Sequence, residues 1–215
     1  TLCYHPKLFL AGACRICLVE EETRGELLPA CSTSVTPDMV IQTESPLVRE
    51  SRRTLVELML ANHAQSCLVC AKGNHCELRK VAADMGIGSL SFHTMPNSYH
   101  LRESNPFMVR DMSRCILCGR CVRADQELVV NSVLRYLHRG FESRPGTILG
   151  RALEDSGCTF CGTCLELCPT GAIYESDRTF QGSTSNQITS FCTYCGCGCQ
   201  LRLGLHNETA VEART

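Results

Sequence analysis

Two cysteine-rich runs decide the fold of this chain. The first is Cys115-Ile-Leu-Cys-Gly-Arg-Cys-Val-Arg-Ala-Asp125, and the second is Cys158-Thr-Phe-Cys-Gly-Thr-Cys-Leu-Glu-Leu-Cys168-Pro169. The second run has the spacing C-x2-C-x2-C-x3-C-P, and the first repeats it with Asp125 in place of the last cysteine. Thiols that recur three residues apart are typical of metal-binding loops, because neighbours at that spacing bridge poorly into disulfides.

This spacing is the one with which bacterial ferredoxins hold cubane iron-sulfur clusters, and the fourth cysteine of each run binds the cluster of the other run. The predicted ligand sets are therefore Cys115, Cys118, Cys121 and Cys168 for one cluster, and Cys158, Cys161, Cys164 and Asp125 for the other. Asp125 leaves three hypotheses for the second cluster. The carboxylate completes the fourth corner, the fourth iron is lost to give a three-iron cluster, or Asp125 is a bystander and water or another residue fills the corner.

The composition favours metal binding over a disulfide framework. The chain has 18 cysteines in 215 residues, 44% hydrophobic residues and a net charge of -1. It is long and apolar enough to form a core without many disulfides, and cluster ligation requires reduced thiols, as in the cytosol. The near-neutral charge and the aromatic content of 6% argue against a nucleic-acid partner. No apolar stretch reaches the ~20 residues of a membrane span, and the start lacks a signal-peptide pattern.

A first group of cysteines lies near the start of the sequence. With the spacing C-x10-C-x2-C-x13-C, it consists of Cys3, Cys14, Cys17 and Cys31. Turn signals at Gly12 and Gly25, with short apolar runs between the cysteines, predict strands and loops around one metal centre. The spacing is not that of plant-type ferredoxins, so by itself it predicts four thiolates around a metal, and a structural zinc site is the alternative.

A second group follows a predicted amphipathic helix over Pro46–Asn62, which has a proline near its first turn. This group has the spacing H-x3-C-x2-C-x5-C and consists of His63, Cys67, Cys70 and Cys76. A lone histidine at a helix end is usually solvated or capping, but three cysteines at ligand spacing favour ligation by His63. His75 is the rival ligand. Because adjacent residues seldom point at one metal, we expect His75 to support Cys76 rather than to bind.

The rest of the chain gives weaker signals. We expect a short helix over Leu78–Met85, a connecting stretch over Ser89–Arg114 and a helix over Val122–Leu137. A polar, glycine-bearing insertion over Gly140–Gly157 separates the two ferredoxin runs. After Pro169, which fixes the backbone as the chain leaves the cluster, we expect a strand.

Taken in order, these residues resemble one family. The matching segments are Thr1–His5, Gly12–Glu20, Pro29–Cys31, the His63 group and the double ferredoxin run, so the resemblance extends from Thr1 to about Tyr174. The family is the iron-sulfur region shared by the large subunit of respiratory complex I, the diaphorase subunits of NAD-linked nickel-iron hydrogenases, iron-only hydrogenases and NAD-dependent formate dehydrogenase alpha subunits. The resemblance implies a 2Fe-2S cluster on Cys3, Cys14, Cys17 and Cys31, and a histidine-ligated 4Fe-4S cluster on His63, Cys67, Cys70 and Cys76.

The segment Phe191–Leu201 is similar to the opening of a molybdopterin oxidoreductase domain, as in formate dehydrogenases, where C-x2-C-x3-C begins a further 4Fe-4S site. The implied ligands are Cys192, Cys195 and Cys199. Cys197 is not a ligand in this pattern. In the family, a hairpin and a helix of the 2Fe-2S domain precede the position of Thr1, and the fourth ligand and the molybdenum-binding body lie beyond the last residue. We therefore expect the sequence to be a piece of a longer polypeptide.

The expected fold class is α+β, in four parts. Residues 1–45 form a truncated β-grasp 2Fe-2S domain, 46–105 a small helical domain with the histidine-ligated cluster, 106–182 a two-cluster ferredoxin-like domain, and 183–215 the beginning of a further 4Fe-4S module. The expected cofactors are one 2Fe-2S cluster and three 4Fe-4S clusters, one of them with Asp125 or in a three-iron form. The Cys192 to Cys199 segment is a candidate for one more.

We expect a multi-cluster subunit or fragment that relays single electrons and has no catalytic residue of its own. The resemblance implies a flavin and NAD(P)-binding subunit on one side and a molybdopterin, hydrogenase or ferredoxin partner on the other, in a cytoplasmic hetero-oligomeric complex. One alternative is the electron-transfer front of a molybdopterin formate dehydrogenase alpha subunit. Another is a zinc-stabilised interaction module, which does not require the interlocked C-x2-C-x2-C-x3-C-P run.

Overall fold

The computed structural model describes residues 1–64, 66–94, 102–176 and 184–214. The chain divides into two compact units, Thr1–Arg178 and Thr179–Thr215. Helices and small antiparallel sheets make up the larger unit, so the expected mixture of helix and sheet is confirmed. The predicted boundary between residues 182 and 183 lies outside the described residues. None of the helices in the described ranges is long and apolar enough to cross a membrane.

The first sheet forms around the first group of cysteines. β1 (Leu18–Glu21) lies between β2 (Glu26–Pro29) and β3 (Ile41–Gln42) and is antiparallel to both. Cys17 immediately precedes β1, and Cys31 follows shortly after β2. Because the two strands form a hairpin, these two cysteines meet at its open end.

α1 (Pro46–Ala61) begins where the sequence predicts. Ser45 Oγ accepts a hydrogen bond from the Val48 amide at 3.2 Å, and a proline occupies the first turn, where its missing N–H costs nothing. Asn62 is the C-cap, so the predicted end of this helix is also confirmed. The helix therefore delivers His63 directly after its last turn.

α2 (Glu77–Asp84) agrees with the predicted short helix to within one residue at each end. Its Leu78 is fully buried together with Val56 of α1. The same apolar core contains Cys3 and Cys118. Cysteines from the first group and from the first ferredoxin run therefore share a core with the helices that flank the second group.

The two ferredoxin runs build a second core. Its helices are α3 (Arg120–Arg123), which continues as a π-helical segment over Ala124–Val129, and α4 (Thr163–Glu166). Its strands are β4 (Arg102–Ser104), β5 (Met108–Asp111), β6 (Leu134–Leu137), β7 (Arg144–Thr147) and β8 (Ile173–Glu175). β5 lies between β4 and β8, and β6 pairs with β7, all antiparallel. The strand predicted after Pro169 is confirmed as β8.

The connecting stretch predicted over Ser89–Arg114 is wrong in its second half, because it contains the strand β4 and the buried strand β5. The sequence does not reveal β5, because Arg110 is charged but is buried like its apolar neighbours, so the strand shows no alternation of apolar and polar residues. The Arg110 guanidinium donates to Glu103 at 2.8 Å and to the Pro145 carbonyl at 3.0 Å. Pro145 belongs to the predicted polar insertion, Gly140–Gly157, which contributes β7 and is therefore not a simple loop.

The helix predicted over Val122–Leu137 is also wrong in its second half. Helical structure ends at Val129, Val130 is left-handed with a φ of 58°, and the chain turns back into β6. Asp125 contributes to this change from helix to strand. Its Oδ2 accepts a hydrogen bond from the Leu134 amide at 2.7 Å, which holds the start of β6 against the helix.

The smaller unit contains a sheet of three antiparallel strands. β10 (Gln200–His206) lies between β9 (Asn186–Phe191) and β11 (Thr209–Arg214). Asn207 and Glu208 both have positive φ angles and form the tight turn between β10 and β11. The loop between β9 and β10 carries Cys192 to Cys199.

Candidate iron-sulfur sites

The four residues of the first predicted ligand set line one pocket. A space of about 340 Å³, part of it open solvent, is bordered by Cys115, Cys118, Cys121 and Cys168. The second run thus contributes Cys168 to the pocket of the first run, as the ferredoxin spacing predicts. Burial raises the pKa of Cys115 and of Cys118 to about 12, and neighbouring thiols add to the effect. Such thiols keep their protons unless a metal takes the place of the proton.

Both ferredoxin runs have the same backbone shape around their first two cysteines. Leu117 and Phe160, at equivalent positions, have positive φ angles of 55° and 52°. Their amides donate to Cys115 Sγ and Cys158 Sγ, each at 3.4 Å. A positive φ is uncommon for residues other than glycine, and here it occurs at the same position of both cysteine runs. Amides directed at sulfur stabilise negative charge there, as cluster ligation requires.

Asp125 lines a second pocket together with the remaining cysteines of the second run. This pocket, about 440 Å³ with part of it open solvent, is bordered by Asp125, Cys158, Cys161 and Cys164. The Asp125 side chain is 8% exposed, and the Leu134 amide holds its Oδ2. The other carboxylate oxygen keeps its capacity to accept, so Asp125 can offer one oxygen to the pocket. Burial raises the pKa of Cys164 to about 11.

His63 is buried at the end of α1, with 6% of its surface exposed. Its Nδ1 has no hydrogen-bond partner among the residues that the structure describes. Burial lowers the pKa of His63 to about 4, and the positive charge of Arg114 contributes. The imidazole is therefore neutral near neutral pH. A buried neutral imidazole with an unpartnered nitrogen fits a metal ligand, because a buried polar atom without a partner is otherwise costly.

The cysteines that follow His63 influence one another. Burial raises the pKa of Cys76, and the thiols of Cys70 and Cys67 raise it further. Cys67 begins a 3-10 turn that ends just before Cys70. Cys70 is buried and packs against Gly171 of the ferredoxin part.

The first cysteine group converges beside β1. Cys17 Sγ and Cys31 Sγ are 3.3 Å apart. The Leu2 amide donates to Cys14 Sγ at 3.4 Å. Burial acts to raise the pKa of Cys14, but backbone amides, with a smaller contribution from Cys3, outweigh it and lower the value. Burial raises the pKa of Cys31, and contacts with Cys17 and the charge of Cys3 add to this.

Three of the four cysteines of the smaller unit face solvent, and Cys192 is half-buried. The Cys192 amide donates to the Cys199 carbonyl at 2.8 Å and closes the loop between β9 and β10. Cys195, Cys197 and Cys199 are exposed. Hydrogen bonds from the backbone and side chain of Cys197 lower the pKa of Cys195. The thiols of Cys195, Cys197 and Cys199 therefore lie on a surface loop.

Within the described ranges, no three histidine, cysteine or carboxylate side chains converge closely enough to hold a single metal ion. A cubane cluster differs from a single ion because each ligand binds a different iron. Its ligands must therefore surround a volume. The two pockets of the ferredoxin runs are lined in this way.

The sequence does not single out the charged residues that join these sites. Lys72, in the loop of the second cysteine group, donates to the Cys168 carbonyl at 2.7 Å. Arg120, in the first ferredoxin run, donates to both carboxylate oxygens of Glu77, at 2.5 and 2.8 Å. In the sequence, only their positions could have indicated this role. Lys72 lies between Cys70 and Cys76, and Arg120 lies between Cys118 and Cys121.

Three family models match the chain. The 2Fe-2S iron-sulfur cluster binding domain matches residues 1–46, and the NADH-ubiquinone oxidoreductase-G iron-sulfur binding region matches residues 52–90. The ferredoxin-like domain of NADH-quinone oxidoreductase subunit 3 matches residues 105–174. The chain is thus an iron-sulfur protein of the electron-transfer class, with binding domains for 2Fe-2S and 4Fe-4S clusters.

Relatives extend this result. The chain is 32% identical over 219 residues to an NADH-quinone oxidoreductase subunit of the G type from Rhizobium meliloti, a match that covers 100% of this chain and 25% of the relative. It is 38% identical over 171 residues to NADP-reducing hydrogenase subunit HndD of Solidesulfovibrio fructosivorans, covering 80% of this chain and 29% of the relative. The chain therefore spans about a quarter of the length of these curated relatives.

A solved structure is similar as well. A chain in the crystal structure of NAD+-reducing nickel-iron hydrogenase in the H2-reduced state has a TM-score of 0.77 and 30% sequence identity, with 86% of this chain and 79% of that chain covered. The chain belongs to the family of iron-sulfur electron-transfer subunits that complex I and the NAD(P)-linked hydrogenases share. The family predicted from the order of the cysteine groups is confirmed.

Proposed function

We propose that the chain is a multi-cluster relay that passes single electrons between a flavin and NAD(P)-binding subunit and a catalytic or ferredoxin-linked partner. The observation that carries this proposal is the position of Cys168, which belongs to the second run but lines the pocket of the first. Interlocked runs are typical of two-cluster ferredoxins. Structural zinc sites need no such exchange of ligands between two pockets.

The proposal assigns each site its own donors. The proposed ligands are Cys3, Cys14, Cys17 and Cys31 for a 2Fe-2S cluster, and His63, Cys67, Cys70 and Cys76 for a histidine-ligated 4Fe-4S cluster. Two further sets are Cys115, Cys118, Cys121 and Cys168, and Cys158, Cys161, Cys164 and Asp125. Iron-sulfur clusters supply one-electron chemistry when bound. The chain's own residues hold the thiolates, exclude water and direct amides at sulfur, all of which adjust the potential.

The Asp125 pocket is proposed to hold a four-iron cluster with one carboxylate corner, or its three-iron form. Oxygen is a harder ligand than sulfur and binds this iron less strongly. The fixed position of Asp125 Oδ2 on the Leu134 amide supports a ligand role, because the carboxylate is already oriented. The same contact also orders the start of β6, so the ligand role requires the spectroscopic test given in the Discussion.

The proposed domain organisation follows the four parts expected from the sequence. Residues 1–45 form a β-grasp-type 2Fe-2S domain, 46–105 a histidine-ligated cluster domain, and 106–182 a two-cluster ferredoxin-like domain. Residues 183–215 begin a further 4Fe-4S module that uses Cys192, Cys195 and Cys199. This last module motivates the second candidate function, the electron-transfer portion of a molybdopterin formate dehydrogenase alpha subunit.

The partners are inferred from the relatives' names, which describe NADH-quinone and NADP-reducing hydrogenase complexes. We therefore propose a hetero-oligomeric complex with a flavin and NAD(P)-binding subunit in the cytoplasm, where thiols stay reduced. The second partner is a hydrogenase or molybdopterin catalytic subunit or a ferredoxin. No catalytic residue is assigned to this chain.

Metal analysis of the native complex tests the relay. We expect iron together with acid-labile sulfide, and electron paramagnetic resonance (EPR) signals of several clusters that appear stepwise in a redox titration. Zinc without sulfide would instead identify a zinc-stabilised module. Molybdenum in the same complex, on a polypeptide continuous with residues 183–215, would favour the formate dehydrogenase candidate.

A further inference from the structure

The helix α3 carries a ligand cysteine between two arginines. Arg120 and Arg123 are three residues apart, so their side chains emerge on neighbouring positions of the helix surface. Cys121 lies between them and lines the pocket of the first ferredoxin run. Both arginines therefore lie beside the same proposed cluster site, but their side chains bind to different parts of the larger unit.

Arg120 joins this site to the His63 group. Its side chain is 5% exposed, and its two terminal nitrogens donate to the two carboxylate oxygens of Glu77. Glu77 immediately follows Cys76, and its own amide donates to the Pro169 carbonyl at 2.9 Å. A planar two-bond contact of this kind fixes orientation as well as distance.

Arg123 joins the same site to the first cysteine group. Its Nη2 donates to the Cys3 carbonyl at 2.5 Å and to the Cys118 carbonyl at 3.4 Å. Its Nη1 donates to the Phe9 carbonyl. Glu127, one turn further along, accepts from the Phe9 amide at 2.7 Å. The segment that follows Cys3 is therefore held at both the amide and the carbonyl of Phe9.

The electrostatic surroundings of the two arginines differ. The charge of Arg120 is matched by the carboxylate of Glu77, whereas the bonds from Arg123 to the first cysteine group end on neutral carbonyls. A cation beside a cluster favours the reduced form, which carries one more negative charge. The charges of both arginines act on the Cys118 sulfur, and that of Arg120 acts more strongly, so both residues should affect potential as well as position.

We propose that Arg120 and Arg123 are positioning residues that set the electronic coupling between cluster sites, Arg120 toward the His63 group and Arg123 toward the Cys3 group. The inference rests on the proposed function, because it requires clusters at these three sites. Electron transfer weakens steeply with distance, so small displacements of a cluster loop change the rate strongly. One short helix thereby controls two separate steps of the relay.

The test uses the full-length protein in its native complex. The variants are Arg120→Gln and Arg123→Gln, and each serves as the control for the other because each should affect a different pair of clusters. Arg135→Gln, on an exposed position of β6, is the common control. The readouts are the spin-spin interaction between reduced clusters by EPR and the rates of their reduction after rapid mixing. Arg123→Gln should weaken the interaction with the 2Fe-2S cluster and slow electron transfer between these two clusters severalfold. Arg120→Gln should do the same for the histidine-ligated cluster only.

Arg123→Lys separates charge from geometry, and it is also the second variant if Arg123→Gln fails to fold. We expect it to retain the potential of the Cys118 site while the coupling to the 2Fe-2S cluster falls, whereas Arg123→Gln lowers both. Arg120→Lys serves in the same way for the other pair. Fully loaded variants whose couplings and rates equal those of Arg135→Gln would overturn the role of the arginines. A wild-type complex without iron and sulfide would instead overturn the proposed function itself.

Discussion

The backbone of Gly171 lies directly against the sulfur of Cys70. A Cβ atom at Gly171 would lie 2.5 Å from Cys70 Sγ, closer than such atoms approach in proteins. Cys70 is a proposed ligand of the histidine-ligated cluster, and Gly171 follows Cys168, a proposed ligand of the next one. The residue type at 171 therefore decides how closely two cluster loops approach, since only glycine leaves room for the sulfur.

Replacing Gly171 with alanine should destabilise the protein by about 1–3 kcal/mol, as overpacking in a dense interior does. The displaced Cys70 should also lose its cluster or alter the cluster's EPR signal. Gly88→Ala is the matched control, because no atom lies within 4 Å of its built Cβ. Denaturant unfolding and EPR of both variants measure the effect. Equal stability and identical spectra in the two variants would contradict the close contact.

Asp125→Cys should convert the cluster on Cys158, Cys161 and Cys164 into an ordinary all-thiolate 4Fe-4S cluster, because a thiolate replaces the harder carboxylate. Asp125→Ala should give a three-iron signal, with Asp155→Ala, an exposed carboxylate, as the control. EPR of oxidised and reduced samples distinguishes these forms. A conventional four-iron spectrum that persists in Asp125→Ala would show that Asp125 is a bystander.

His63→Cys should lower the potential of its cluster, since an anionic thiolate replaces a neutral imidazole. On the scale of other histidine-for-cysteine exchanges in iron-sulfur proteins, the change should be on the order of 100 mV or more. An EPR-monitored redox titration measures this shift. His75→Ala tests the rival ligand and should leave the potential unchanged. A shift with His75→Ala and none with His63→Cys would reverse the assignment.

Cluster assembly at the first ferredoxin run should depend on pH. The pKa of Cys115 and of Cys118 is raised to about 12, chiefly by burial, so both thiols are protonated at neutral pH and must release protons when iron binds. Raising the pH removes this competition, and iron uptake at this site should increase. The pKa of Cys195 is lowered, so uptake at the exposed loop should depend less on pH. Iron incorporation followed at a series of pH values, with Cys195→Ser to separate the two sites, checks the sign.

The sequence predicts the cysteine groups well because ligand spacing is a local property. The helix that ends before His63, the strand after Pro169 and the family all follow from short stretches of sequence. β5 could not be found in this way, because a buried arginine at its centre is satisfied by Glu103 and Pro145 from other elements. Because these partners lie outside the strand, the residues of β5 alone show no alternating apolar pattern that would predict it.

The candidate site was likewise predictable in part from the sequence. Which cysteines share a pocket can be predicted from the ferredoxin spacing, but how one pocket is held against the next cannot. Lys72, Arg120 and Arg123 all bond to groups more than forty positions away. Their side chains belong to residue types that usually face water, so composition gives no reason to select them.

The cysteines of the two ferredoxin sites are unequally exposed, and this difference should set the order in which oxygen damages the sites. Cys161 is exposed, and although its partial burial acts in the opposite direction, hydrogen bonds involving Thr163 and Thr159 lower its pKa. An accessible sulfur with a lowered pKa is the kind that oxidants attack first, whereas Cys121 and Cys168 are buried. Oxygen should therefore damage the Asp125 site before its neighbour, so the proposed carboxylate corner and the exposed cysteine of the two runs belong to the same centre.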